Sequence, residues 1–138
     1  MDVLTPFAGD WLLTRLVDDY FGRETMRFEG TARLIRDAEG LAYEEEGRWT
    51  AGTYAGLAAN RSYAWRAAGT GIDVVFGDGR PFHWFEPAKQ GRAESRHDCA
   101  PDLYEATYEF ALPDRWTLHW RVRGPKKDYH SRSDYRRG

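Results

Sequence analysis

Four side chains could do chemistry if the fold turns them inward: Arg15, Glu45, Arg61 and His83. Each falls, by the alternation of its own segment, on the face that carries apolar and aromatic residues. Arg15 shares a face with Trp11, Leu13 and Val17, Glu45 with Leu41, Tyr43 and Trp49, and Arg61 with Tyr63 and Trp65. A guanidinium or carboxylate withdrawn from water costs several kcal/mol unless it is paired, hydrated or met by a polar ligand. Two arrangements satisfy that demand. In one, Arg15 and Glu45 form an ion pair inside a filled interior. In the other, Arg15 or Arg61 binds the anionic group of a small molecule in a wet cavity, with hydroxyls from Tyr43, Tyr63, Tyr108 and Tyr129 and rings from Trp65 and Trp120 around its body. His83 has the ordinary pKa for proton transfer, and Glu45 or a tyrosine could orient it, giving a small acid-base enzyme of isomerase, hydrolase or decarboxylase type as the alternative. Its bland counterpart is a structural histidine satisfied among aliphatic neighbours.

The elements that must position these groups are strands. Arg115 to Arg123 reads RWTLHWRVR, with Trp116, Leu118, Trp120 and Val122 alternating against Thr117, His119, Arg121 and Arg123, the period of a strand with one buried face. LYEATYEFAL repeats the pattern with Tyr104, Ala106, Tyr108 and Phe110. A three-residue connection, Leu112-Pro113-Asp114, pairs these two strands so that Phe110 faces Trp116 and Glu105 meets Arg121 outside. A turn at Gly124 to Lys127 then sets Val122 opposite Tyr129 and Arg123 opposite Asp128, and complementary outer charges support both registers. Asp78-Gly79 is a type I′ turn signal, which places Phe76 opposite Pro81, Val74 opposite His83 and Ile72 opposite Phe85. A three-residue loop there would instead turn Phe82 and Trp84 inward. Gly30 and Ala32 are small, as expected where strands bend or crowd, and Asp2 to Ala8 suits a short helical or 3₁₀ lid limited by Pro6. About nine or ten antiparallel strands follow, with no ordinary helix to cover an open sheet, so the expected fold is a single all-β domain over 1–138: an up-and-down barrel of eight to ten strands, with an open sandwich as the other choice.

Composition bounds the function. Fifteen per cent aromatic residues, six of them Trp, exclude a disordered chain despite 30% charged residues. A net charge of -2 with both signs interspersed argues against a general nucleic-acid or anionic-membrane surface, although Arg121, Arg123, Lys126, Lys127, Arg132, Arg136 and Arg137 cluster late. The single cysteine, Cys99, allows no internal disulfide and no thiolate cage, and suits a buried thiol. The first residues, MDVLTPFAGD, lack a basic region, and no apolar run of about 20 residues occurs. A soluble, reducing, cytoplasmic setting is the expectation. No His-x-His or Glu-x-x-His spacing argues for a metal site, and none is expected. No cofactor is expected either, with a heme on an inward His83 the one option left. His119 and His130 fall on the wet face and should be solvated, while the facing of His97 is open.

Gly9-Asp10-Trp11 at the head of the first strand resembles the opening of calycin barrels, the group of lipocalins, fatty-acid-binding proteins and nitrobindin-like domains. GDWLLTRLVDD, GLAYEEEG, RSYAWR, DGRPFHWF, HDCAPDLYEATYEF and GPKKDY together look like a family of short bacterial and fungal proteins of unassigned function, over nearly the whole chain. The resemblance implies a lipocalin-like barrel and no activity. It also implies that Trp11 closes the barrel floor beneath an arginine near the chain end, with Arg121, Arg123 or Arg136 as partner. The glycines that follow this Trp in nitrobindins are missing, which speaks against heme. The expected function is a barrel that binds a small anionic, apolar or aromatic ligand in its lumen. A second alternative, a protein-interaction module, requires a filled barrel and an exposed aromatic patch including Phe82 and Trp84.

Overall fold

The computed structural model describes residues 2–138 and is built from ten antiparallel strands: β1 (Gly9–Asp19), β2 (Glu24–Arg36), β3 (Leu41–Ala51), β4 (Ala58–Ala68), β5 (Gly71–Phe76), β6 (Pro81–Phe85), β7 (Gln90–Cys99), β8 (Asp102–Ala111), β9 (Arg115–Gly124) and β10 (Lys127–Arg137). They form one sheet in the order β6-β5-β4-β3-β2-β1-β10-β9-β8-β7, which curls into a nearly closed barrel. The expected all-β barrel is therefore the observed one, and the sandwich is not. The two edges, β6 and β7, meet without a backbone ladder. Ser95 Oγ on β7 donates to the Trp84 carbonyl on β6 at 2.6 Å, one polar staple across that seam.

The registers at the late turns are those expected. Phe110 pairs Trp116, Tyr108 pairs Leu118 and Ala106 pairs Trp120, while Tyr129 pairs Val122 and Tyr135 pairs Trp116. The ion pair outside differs from the backbone partners: Arg121 Nη2 reaches across to Asp128 Oδ1 at 2.7 Å, at an angle that makes it a charge contact without a hydrogen bond. Burial alternates on β1, where Trp11, Leu13, Arg15 and Val17 are inside, as the sequence period requires. Gly30 on β2 lies opposite Gly47 on β3, where a Cβ on Gly30 would collide with the Glu46 carbonyl oxygen. The wall bends there because two glycines let the strands crowd.

The β5–β6 hairpin departs from the simple two-residue loop. Ile72 pairs Phe85 and Val74 pairs His83, but Val75 pairs Pro81 across a register shift. Phe82 is the extra residue of that bulge. His83 and Phe85 stay inside, as expected, and Phe82 is turned to the lumen as well. The patch expected for a protein-interaction module thus loses Phe82, and only Trp84 of the two is exposed.

A 3₁₀ turn, Thr5–Phe7, plugs one end. Phe7 is fully buried and meets the edges of Trp65 and Trp116, with ring centroids 5.3 and 5.5 Å away. Trp11 Nε1 donates to the Phe7 carbonyl at 2.9 Å. The arginine over Trp11 is Arg137, with its Cζ 3.8 Å from the ring centroid, and not Arg121, Arg123 or Arg136. Those three lie on the outward parity of their strands, whereas Arg137 is the direct cross-strand partner of Trp11. Its guanidinium also donates to the Ala8, Pro6 and Pro113 carbonyls, tying the plug to the β8–β9 turn. No helix among the described residues is long and apolar enough to cross a membrane.

Candidate functional site

Above this plug lies a cavity of about 790 Å3, open at the opposite end of the barrel. All ten expected ligand-contacting residues, Arg15, Tyr43, Glu45, Arg61, Tyr63, Trp65, His83, Tyr108, Trp120 and Tyr129, line it. Its depth is graded: Trp65, Tyr108 and Trp116 stand nearest the plug, the charged cluster is midway, and Asp19, Arg80 and Cys99 mark the mouth. Cys99 is exposed, against the expected buried thiol, because it is the last residue of an edge strand at the open rim. His97, whose facing was open, lines the cavity too.

The midway cluster is centred on Glu45. Arg15 grips it bidentately, Nη1 to Oε2 and Nη2 to Oε1, both at 2.8 Å. Tyr43 donates its hydroxyl to Oε1 at 2.6 Å, and Arg61 Nε stands 3.3 Å from Oε2. Since Tyr43 spends its proton on Glu45, the 2.7 Å contact between the Tyr43 and Tyr135 hydroxyls has Tyr135 as donor. Ser133 Oγ accepts from Arg15 Nε at 2.7 Å, and the Phe28 ring lies under the guanidinium, 5.6 Å away. Burial pushes the Glu45 pKa up, but the hydrogen bonds and charge of Arg15, with Arg61 behind them, hold it below the ordinary carboxylate range. For Arg15, burial opposes the charge and Glu45 restores it with a net upward shift.

This geometry revises the expectation for Arg15. Both ends of its fork are taken by Glu45, so the internal ion pair forms, yet the lumen is not filled. Arg61, with its side chain 47% exposed, is the cation left with donors to spare. Ser131, Ser133 and Tyr135 complete the cluster. Tyr135 is inward as its expected place opposite Trp116 requires; Ser131 and Ser133 follow from continuing the parity of Tyr129 along β10, but short hydroxyls on a polar strand give no apolar signal of their own.

His83 is not brought to Glu45. Its Nε2 lies 2.7 Å from the Tyr108 hydroxyl. Tyr108 has no other hydrogen-bond acceptor among the described residues, so its proton is satisfied only by donation to Nε2, which places the imidazole proton on Nδ1. Burial drives the His83 pKa down to about 3, with the nearby His97 adding to the effect, and burial raises that of Tyr108 well above 10. Neither group exchanges protons near neutrality, which weighs against the acid-base alternative. Two buried donors in the wall, His83 Nδ1 and Trp116 Nε1, have no hydrogen-bond partner. A heme on His83 fits poorly, since Nε2 is occupied and the Nδ1 edge is shut in by rings. No group of three or more metal-ligating side chains occurs among the described residues. Outside the barrel, His119 and His130 are not simply solvated. His119 Nδ1 lies 3.2 Å from His130 Nε2, and its Nε2 lies 2.8 Å from Glu109 Oε1.

A model described as a family of unknown function, DUF6314, matches residues 7–137. No curated protein matches the chain. Among solved structures, an S-type phycobiliprotein lyase, CPES, from Guillardia theta is similar at TM-score 0.68 and 12% identity, covering 98% of this chain and 90% of that one. A DUF3598 protein of unknown function from Nostoc punctiforme is similar at TM-score 0.55 and 10% identity, covering 98% of this chain and 49% of that one. At these identities the likeness is one of fold.

Proposed function

The chain belongs to the DUF6314 family of unknown function, and from its lumen we propose that it binds a small, partly aromatic anion, with Arg61 as the anchor for the negative charge. The observation that carries this reading is charge left over in a roomy, blind-ended cavity. In a wall otherwise made mainly of rings and aliphatic groups, Arg15 is gripped by Glu45 and Arg80 is paired with Asp78 at 2.6 Å, whereas Arg61 only approaches Glu45 Oε2 at 3.3 Å and keeps donors to spare. Glu45 and Arg15 neutralise each other, so an incoming carboxylate, phosphate or phenolate meets the Arg61 guanidinium, within reach of both solvent and cavity. A cavity of this size holds a molecule of two or three fused or linked rings. The similar fold of the phycobiliprotein lyase is compatible with a ligand-binding barrel, and no activity is transferred from it.

The test uses fluorescence titration with a naphthoate. Binding to the wild type and at least about a tenfold weaker affinity for Arg61→Ala, the effect of losing one charge-assisted contact, support the reading. The melting temperature should move little, because Arg61 is half exposed and Arg15 still holds Glu45. No binding by the wild type, or equal affinity in the variant, overturns it.

A further inference from the structure

Phe82 occupies a slot in the lumen. It is stacked between two rings of the wall, with centroids 5.0 Å from Trp120 at 12° and 5.7 Å from Tyr63 at 25°, and Phe76 covers it at 4.5 Å and 25°. The His83 ring stands perpendicular to both Phe82, at 4.6 Å, and Trp120, at 5.0 Å. His83 is 8% exposed, and its Nδ1 has no hydrogen-bond partner. A buried N–H left without an acceptor costs on the order of 1–3 kcal/mol, and no acceptor of the wall reaches it.

The backbone that carries Phe82 is held weakly. It is the extra residue of a bulge, so the β5–β6 ladder does not fix it in register. It sits on an edge strand whose other side meets β7 with no ladder. Moving it breaks no regular pairing between strands. We infer that Phe82 is a placeholder for the ring of the ligand. On binding, that ring takes the slot between Tyr63 and Trp120, Phe82 swings out through the seam side, and His83 Nδ1–H donates to an oxygen acceptor on the ring. The ligand class is thereby narrowed to a planar aromatic carrying an anionic group for Arg61 and, at the ring's other end, a hydroxyl, phenolate or carbonyl oxygen for His83. This rests on the proposed lumen binding and adds to it the location and the second polar contact.

Two naphthoates that differ only in a hydroxyl on the ring distal to the carboxylate test it, titrated into wild type, Phe82→Ala and Phe82→Leu. Vacating the slot should tighten both probes by at least about threefold, because the competent state no longer competes with a bound side chain. The hydroxylated probe should bind about threefold or more tighter than the plain one to all three proteins, as expected for one buried hydrogen bond. In the wild type both probes should move the His83 Nδ1–H resonance as the ring beside it is replaced, and only the hydroxylated probe should add the downfield shift and slowed exchange of a hydrogen-bonded Nδ1–H. Leu serves beside Ala because it keeps apolar volume in the bulge while removing the flat ring. Arg61-dependent binding with no gain in either Phe82 variant removes the placeholder and leaves the lumen reading standing. Equal affinities for the two probes, or the same Nδ1–H shift and exchange with both, remove His83 as the contact. Failure of every protein to bind either probe defeats the lumen reading itself.

Discussion

Glu45 accepts from Arg15 through both oxygens and from Tyr43 through one, with Arg61 beside the other. Glu45→Gln should therefore do more than remove a charge. It leaves Arg15 buried without a counter-ion, which costs about 3–5 kcal/mol, read as a fall in urea midpoint at unchanged slope. Replacing both partners, Arg15→Met with Glu45→Leu, should cost less than the single variant. Acid acts on the same residues with a definite sign. The folded His83 takes up a proton only near pH 3, whereas the unfolded one does so near 6.5, so between those values the unfolded state binds more protons and stability falls as pH drops. The Glu45 contribution is present above its unfolded pKa of about 4.5 and is lost below it as pH falls through the lowered folded value. In His83→Phe the pH dependence of unfolding free energy should flatten between about 4.5 and 6.5, and persist below; an unaltered slope would show that His83 is not buried neutral.

At the scale of elements, the 3₁₀ plug and the bulge decide what the barrel can hold. Phe7→Ala removes a fully buried ring from the floor and should cost about 3–5 kcal/mol by thermal or urea unfolding, with Trp11→Ala acting in the same direction because Arg137 loses its ring. The strands and their registers were legible because apolar residues alternate and the turns tie each strand to the next by a known number of residues. The inward set Arg15, Glu45, Arg61 and His83 followed from that parity alone. What was not legible has local causes. Asp78-Gly79 is compatible with more than one loop length, and the bulge at Phe82 resolves the choice through packing against Tyr63 and Trp120, rings distant in sequence. The choice of Arg137 over its neighbours was implicit in the parity of Tyr135, two residues earlier, but a resemblance that points only to an arginine near the chain end does not select among four. That Arg15 would be consumed by Glu45, leaving Arg61 as the available cation, depends on distances across the lumen, which strand period does not contain.

At the scale of the whole molecule, the sheet runs in sequence order from β7 through β10, continues through β1, and ends at β6. The first and last strands are joined edge to edge by nine paired positions, Trp11 with Arg137 through Asp19 with Tyr129. The discontinuity in the wall therefore falls inside the chain, at the connection between Phe85 and Gln90. Hydrogen exchange should be fastest along β6 and β7, where one side of each strand has no ladder, and slowest along the β1–β10 pair; uniform protection around the wall would contradict the seam. The same arrangement makes the protein divisible. A cut within residues 86–89 severs no ladder, so separately expressed halves, six strands and four, should find each other through the β1–β10 zipper and rebuild the lumen, giving a two-piece reporter whose assembly could be read by the naphthoate's fluorescence.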